Sequence, residues 1–198
     1  MIDFEVKTDK RDLRRLEQVL KRTPAALPGI LVRAVNKTGR WGRTRVVREI
    51  AAETGIKQKG VRRGVWLQRA SRSYPTAVIR IGGKRIPIIH FGARQTKGGV
   101  VYTKPGAGEQ TTIPSAFITR MPTGHRGVFK RKAKTEGGED LVPRLPIREL
   151  KGASLGVIAG HAPQVIARVT DQCGDRLSLE IGRQIDYVLA KQQARRAG

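Results

Sequence analysis

From residue 61 to residue 138 the chain carries 16 lysines and arginines against two acids, Glu109 and Glu136. Like charges at that density repel one another, so the stretch folds only if its cations spread over a surface that something acidic, or a large assembly, offsets. The flanks are less lopsided, with 15 basic and 7 acidic residues in 1–60 and 9 and 7 in 139–198. The positive field therefore belongs to the middle of the chain, where a surface contact with phosphates is easiest to build. The chain as a whole carries +24, with only 38% hydrophobic and 5% aromatic residues. So thin an apolar supply predicts a modest core and extended segments that need a neighbour. A length of 198 residues predicts a single domain over 1–198.

Residues 2–6 (IDFEV) alternate as in a strand, and Asp9 to Arg22 reads as a helix with Leu13, Leu16, Val19 and Leu20 on one face. Thr23 and Pro24 then start a long helix that runs to about Thr54 and stops at Gly55. Gly39 and Gly42 flank Trp41, which predicts a kink or a close helix contact there. Residues 56–63 (IKQKGVRR) suit a short basic helix or turn. After residue 65 the pattern changes to short β-branched runs: VWLQRA, TAVIRI, RIPIIHF and VVYT. Pro87 makes RIPIIHF an edge or bulged strand. Residues 104–112 read as a flexible loop, IPSAFITRM and GVFKRKA as two strands joined by a turn at Pro122–Gly124, and 134–152 as a linker or arm. Ser154 is a candidate cap of a short turn. Pro163 opens a final helix to about Gln193, striped by Ile166, Val169, Cys173, Leu177, Ile181, Ile185 and Val188. That stripe repeats about every 3.7 residues, the period of an α-helix. The class is α+β: N-terminal helices including one long one, a mostly antiparallel sheet, and a long C-terminal helix.

No residue pattern along the chain points to catalysis. Two-metal phosphodiester cleavage needs clustered carboxylates, and the basic region holds two acids 27 residues apart. His90, His125 and His161 lie in separate segments without metal-ligand spacing. Cys173 is the one cysteine, which excludes an internal disulfide, suits a reducing cytoplasm, and on an apolar stripe reads as a small buried hydrophobe. No glycine-rich stretch has phosphate-loop spacing. The expectation is no enzyme, no cofactor and no metal. No apolar run approaches the length of a membrane span, and MIDFEVKTDKRDL lacks the apolar core of a signal peptide. The residues expected to face a nucleic acid are Arg94, Lys97, Arg126, Lys130, Arg131 and Lys132, set in loops and hairpin ends. Leu145, Ile147 and Leu150 form a Pro-bounded apolar segment expected to dock on a neighbouring subunit.

Several stretches occur in a telling order: ALPGILVRAVNKTGRWGRTRVV, RIPIIHFGARQT, IPSAFITRMPTGHRGVFKRK, and LPIRELKGASLG before the last helix. Together they resemble the minor tail protein Z family of long-tailed phages and prophages, over roughly residues 20–195. The resemblance implies a virion protein, assembled in the host cytoplasm, that completes the head-proximal end of the tail. It further implies a ring, six subunits being expected, that adjoins tail terminator, tail tube or head–tail connector proteins and seats the DNA end without reading its sequence. The competing reading is a cellular protein that binds nucleic acid irrespective of sequence.

Overall fold

Apolar or small side chains recur every three to four positions from Ile30 through Ala34, Thr38, Gly42, Val46 and Ile50, and all six are buried. That period makes Leu27–Thr54 helix α1. It ends at Gly55, whose φ of +70° is open to glycine at little cost. The structure, a computed structural model, describes residues 2–6, 27–106, 108–131, 134–136, 139–141 and 146–197. The helix expected over Asp9–Arg22 and the Thr23–Pro24 start lie outside the described residues.

The remaining elements follow in chain order. Strand β1 is Ile2–Val6, helix α2 Gln58–Arg62, β2 Val65–Gln68, β3 Ala77–Ile81 and β4 Arg85–Pro87. A 3-10 turn at Ile88–His90 leads to β5 Arg94–Thr96, β6 Gly99–Thr103, β7 Gln110–Pro114, β8 Ala116–Arg120 and β9 Arg126–Arg131. Then come β10 Lys134–Glu136, β11 Glu139–Leu141, β12 Ile147–Glu149, β13 Lys151–Ser154, α3 Leu155–Gly160 and α4 Pro163–Ala197. Every strand pair among them is antiparallel, and the fold is α+β.

Packing groups the residues into two compact units. The first comprises Met1–Val47, Val65–Ile81 and Pro163–Gly198. Its sheet has the order β1-β3-β2, with Ile79 and Ile81 of the central strand buried. Helix α1 lies close on this sheet and on α4 because two of its residues lack a side chain. A Cβ at Gly39 would stand 3.0 Å from Leu67, and one at Gly42 would stand 2.7 Å from Sγ of Cys173. The Trp41 region is thus a close contact, the second of the two expectations. Asn36, one turn before Arg40, also packs inside this unit. Asn36 donates to the Ala70 carbonyl and accepts from the Ala70 N–H, at 3.0 and 2.9 Å.

Along one edge of the α1–α4 contact runs a polar seam absent from the apolar stripe read in the sequence. Arg33 donates to Gln184 at 3.0 Å, Lys37 pairs with Glu180 at 3.4 Å, and Arg45 donates to Gln172 at 3.3 Å. Residue numbers rise in one helix as they fall in the other, so the two run antiparallel. Glu180 is 2% exposed, and its Oε1 also accepts from Arg176 at 2.6 Å and Arg183 at 3.0 Å. Burial pushes its carboxyl up, but Lys37, Arg176 and the hydrogen bonds outweigh burial and hold it below the ordinary carboxylate value. Of the predicted stripe, Val169, Cys173, Leu177 and Ile181 are buried, while Ile166, Ile185 and Val188 are half-buried and Val165 takes the inner place.

The second unit comprises Arg48–Gly64 and Gly82–Ala162. Its sheets have the orders β5-β6-β7, β12-β9-β8, β13-β4 and β10-β11. Ile88, Val100, Ala116 and Val128 form a buried cluster against which Tyr102, Ile113, Ile118 and Leu150 pack. Two expectations are corrected in this unit. Residues 110–112, read as part of a flexible loop, are the start of β7, with Lys104 and Glu109 closing the hairpin by a 3.2 Å ion pair. IPSAFITRM is two strands, because Ser115 turns the chain with a φ of +59°. Pro87 ends its strand and hands the chain to the 3-10 turn, since it has no N–H to continue the ladder. The 134–152 arm contains β10, β11, β12 and the start of β13 in its described parts. Ser154 caps α3 by accepting from the Val157 N–H.

Candidate polyanion-binding cleft

Strands β8 and β9 are joined by a tight turn because Met121 and His125 share a backbone hydrogen bond of 2.8 Å and Gly124 supplies a φ of +79°. The register then sets Arg120 directly opposite Arg126. Two like charges so placed oppose each other. The Arg120 guanidinium is held by donation to the Gly124 carbonyl at 3.3 Å. Helix α2 faces this hairpin with Lys59, and Arg63 follows it four residues on. That spacing puts both cations on one side of a helical turn.

Between them lies a cleft of about 380 Å³ lined by Lys59, Arg63, His90, Arg120, Thr123, Gly124, His125 and Arg126. His90 forms its inner wall and is 8% exposed. It is seated by Gly60, where a Cβ would fall 2.8 Å from the His90 ring, and by the Lys57 N–H, which donates to the His90 carbonyl at 2.9 Å. Burial, then Arg63, Lys59 and Lys57, hold its pKa below 6.5, with Glu149 opposing them. His125 donates from Nε2 to Glu149 Oε1 at 2.7 Å and meets the Phe129 ring edge-on at 6.3 Å. Among the described residues no carboxylate forms an ion pair with Lys59, Arg63, Arg120 or Arg126.

The six cations expected to face nucleic acid do not form one cluster. Arg126 lines the cleft. Lys130 and Arg131 sit at the other end of β9, about 13 and 16 Å away at the rise of a strand. Lys130 is half-buried opposite Ala116 and Arg148, and the Arg131 guanidinium stands 5.6 Å from the centre of the Phe117 ring. Arg94 is exposed on β5, and Lys97 is exposed in the turn that follows. Lys132 lies outside the described residues. Lys59, Arg63, His90 and Arg120 line the cleft beside Arg126 and were not among the residues expected from the sequence. The signal for the first two was the basic helix IKQKGVRR, and for Arg120 its symmetry with Arg126 about the turn.

Of the expected interface residues, Leu145 lies outside the described residues. Ile147 pairs with Arg131 in β12 and is half-buried, and Leu150 packs on the core cluster of its own unit, its N–H donating to the Val128 carbonyl at 2.8 Å. Among the described residues no group of three or more His, Cys, Asp or Glu side chains is placed to hold a metal, and no helix is long and apolar enough to cross a membrane.

Residues 6–195 match the family described as prophage minor tail protein Z (GPZ). The chain belongs to that family. Its members are structural proteins of phage tails, and the family spans both compact units described above. The chain is also similar to the tail completion protein of Escherichia phage N15, 26% identical over 145 residues, which is 68% of this chain and 74% of the relative. No solved structure matches this minor tail protein.

Proposed function

We propose that this minor tail protein is a non-catalytic subunit at the head-proximal end of the tail, that six copies close into a ring, and that its basic surface lies along the phosphate backbone of the genome. The observation that carries the reading is the family match across residues 6–195, and the similarity to a tail completion protein supports the position at the tail end. The cleft at Arg126, with Arg94, Lys97, Lys130 and Arg131 outside it, supplies charge that holds phosphates without reading bases. Strand β12 lies at the edge of its three-stranded sheet, with Ile147 on it. An open edge with an apolar side chain is a surface another chain can cover, and it supports Ile147 as part of a subunit contact. The adjoining proteins would be tail terminator, tail tube or head–tail connector subunits.

Light scattering on the purified protein tests the ring: the expected species has six times the 21.8 kDa chain mass, and Ile147→Asp shifts it towards smaller species. A monomer at every concentration sinks the ring. Duplex DNA of arbitrary sequence should bind with an affinity that falls steeply with salt, by a log–log slope of about −0.9 per phosphate neutralised. Particles assembled without the protein should have incomplete tails; normal, infectious tails would instead favour a cellular nucleic-acid-binding role.

A further inference from the structure

We propose that the cleft between α2 and the β8–β9 turn is a discrete phosphate site in which Lys59, Arg63, Arg120 and Arg126 clamp one phosphoryl group against His90. Three observations converge on it. Four cations from two separate elements point at one concavity, and none has an ion-pair partner among the described residues. Folding against that mutual repulsion makes sense where an anion completes the site. Second, a buried imidazole lines the wall, and no side-chain hydrogen bond joins it to any described residue. An imidazole that lines the cleft without a side-chain partner can donate to an anion there. Third, the chain accepts local costs to build this arrangement. Gly60 is required for the ring to sit against α2, and Arg120 is held opposite Arg126 by the register of the turn.

The chemistry of the lining sets the ligand. Arginine forks on two sides match the tetrahedral array of phosphate oxygens, and Lys59 adds a point charge. The one carboxylate at the rim, Glu149, is engaged by His125 and is thereby kept from the cations. Phosphate oxygens would accept from the guanidinium groups and from the His90 ring, and their charge would favour the protonated form that burial and the neighbouring cations disfavour. The group bound is a phosphodiester of a nucleic-acid backbone or a free phosphate; the inference deepens the polyanion reading and rests on it only for the choice between these.

The test uses the full-length protein and two probes: inorganic phosphate, followed by calorimetry and by the ring resonances of His90, and a 20-base-pair duplex of arbitrary sequence, followed by anisotropy over a salt series. The variants are Arg63→Gln/Arg120→Gln, which alters exposed groups, and Arg69→Gln/Arg72→Gln, which removes the same charge elsewhere. Phosphate should move the His90 resonances, and the first variant should weaken phosphate at least tenfold while the second leaves it within twofold. The same variant should weaken the duplex and make its salt slope shallower by about one phosphate's worth, about 0.9. Duplex binding that ignores the cleft variant, with His90 unmoved by phosphate, overturns the site and leaves the polyanion reading standing. Phosphate bound in the cleft without duplex binding supports the site, identifies its ligand as free phosphate and removes the polyanion reading. Failure of both probes overturns both. Matching melting curves for the two variants exclude unfolding as the cause.

Discussion

Placing an alanine at Gly42 sets two effects of similar size against each other. In a helix interior alanine is favoured over glycine by about 1 kcal/mol. Against that, the new Cβ would stand 2.7 Å from Sγ of Cys173 and 3.1 Å from Cδ1 of Ile79, where unstrained contacts lie at about 3.5–4.0 Å. The isoleucine methyl is the end of a flexible side chain and can turn aside. The sulfur is 2% exposed and sits on a helix locked by the polar seam, so it must retreat by about 1 Å or carry α4 with it. Overpacking of this kind costs about 1–3 kcal/mol, so Gly42→Ala alone should destabilise by about 1 kcal/mol. In a Cys173→Ala background the sulfur is gone and the helix preference is left, so the same substitution should stabilise by up to about 1 kcal/mol. Urea unfolding of the four proteins in the cycle measures the coupling, which should be near 2 kcal/mol, roughly. Additivity to within about 0.5 kcal/mol would refute the claim that backbone approach at Gly42 is set by Cys173.

Three other perturbations have definite outcomes. Ile181→Asp places a charge at a position 5% exposed, and should cost several kcal/mol or abolish folding; a soluble protein with an unchanged melting curve would show the stripe to be external. Glu180→Gln removes the charge that Arg176, Arg183 and Lys37 share. Because those cations can turn to water the loss should be about 2 kcal/mol, or a fall of about 4–8 °C in Tm by calorimetry. The third is pH dependence. His90 is held below 6.5 when folded, so the unfolded chain binds its proton more readily, and stability should decline as pH drops through 6.5 and level off below the folded value. His90→Gln should flatten this part of a stability–pH curve. Glu180 adds a separate loss at lower pH, since its folded pKa is depressed below 4.5.

The long elements were legible because each is written in a period that nothing else produces. Helix α1 and its stop at Gly55, the Pro122–Gly124 turn and the run of α4 were all readable one segment at a time. The polar seam was not. Glu180 and Gln184 look like solvent-facing residues until Lys37 and Arg33, almost 150 positions away, arrive beside them. Ser115 hid the break between β7 and β8 because a non-glycine residue with positive φ leaves no mark in composition. The cleft failed for a related reason. A density of charge along the chain directed attention to Lys130 and Arg131, whereas the structure converges Lys59 and Arg63 on Arg120 and Arg126, 60 residues downstream. One-dimensional charge counts find a basic region; only pairing register and the reach of α2 find a basic site.

The contact between His125 and Glu149 ties the rim of the cleft to strand β12. If a partner engages β12 and an anion fills the cleft as proposed, a pull on β12 would shift the carboxylate that holds His125 and so change the electrostatic balance the anion feels. Thermodynamic reciprocity would then require the converse: an occupied cleft would alter, by the same factor, how readily β12 is engaged. Assembly and anion binding in this minor tail protein would be two readings of one equilibrium, and protein prepared in phosphate buffer would differ in its association from protein prepared without it.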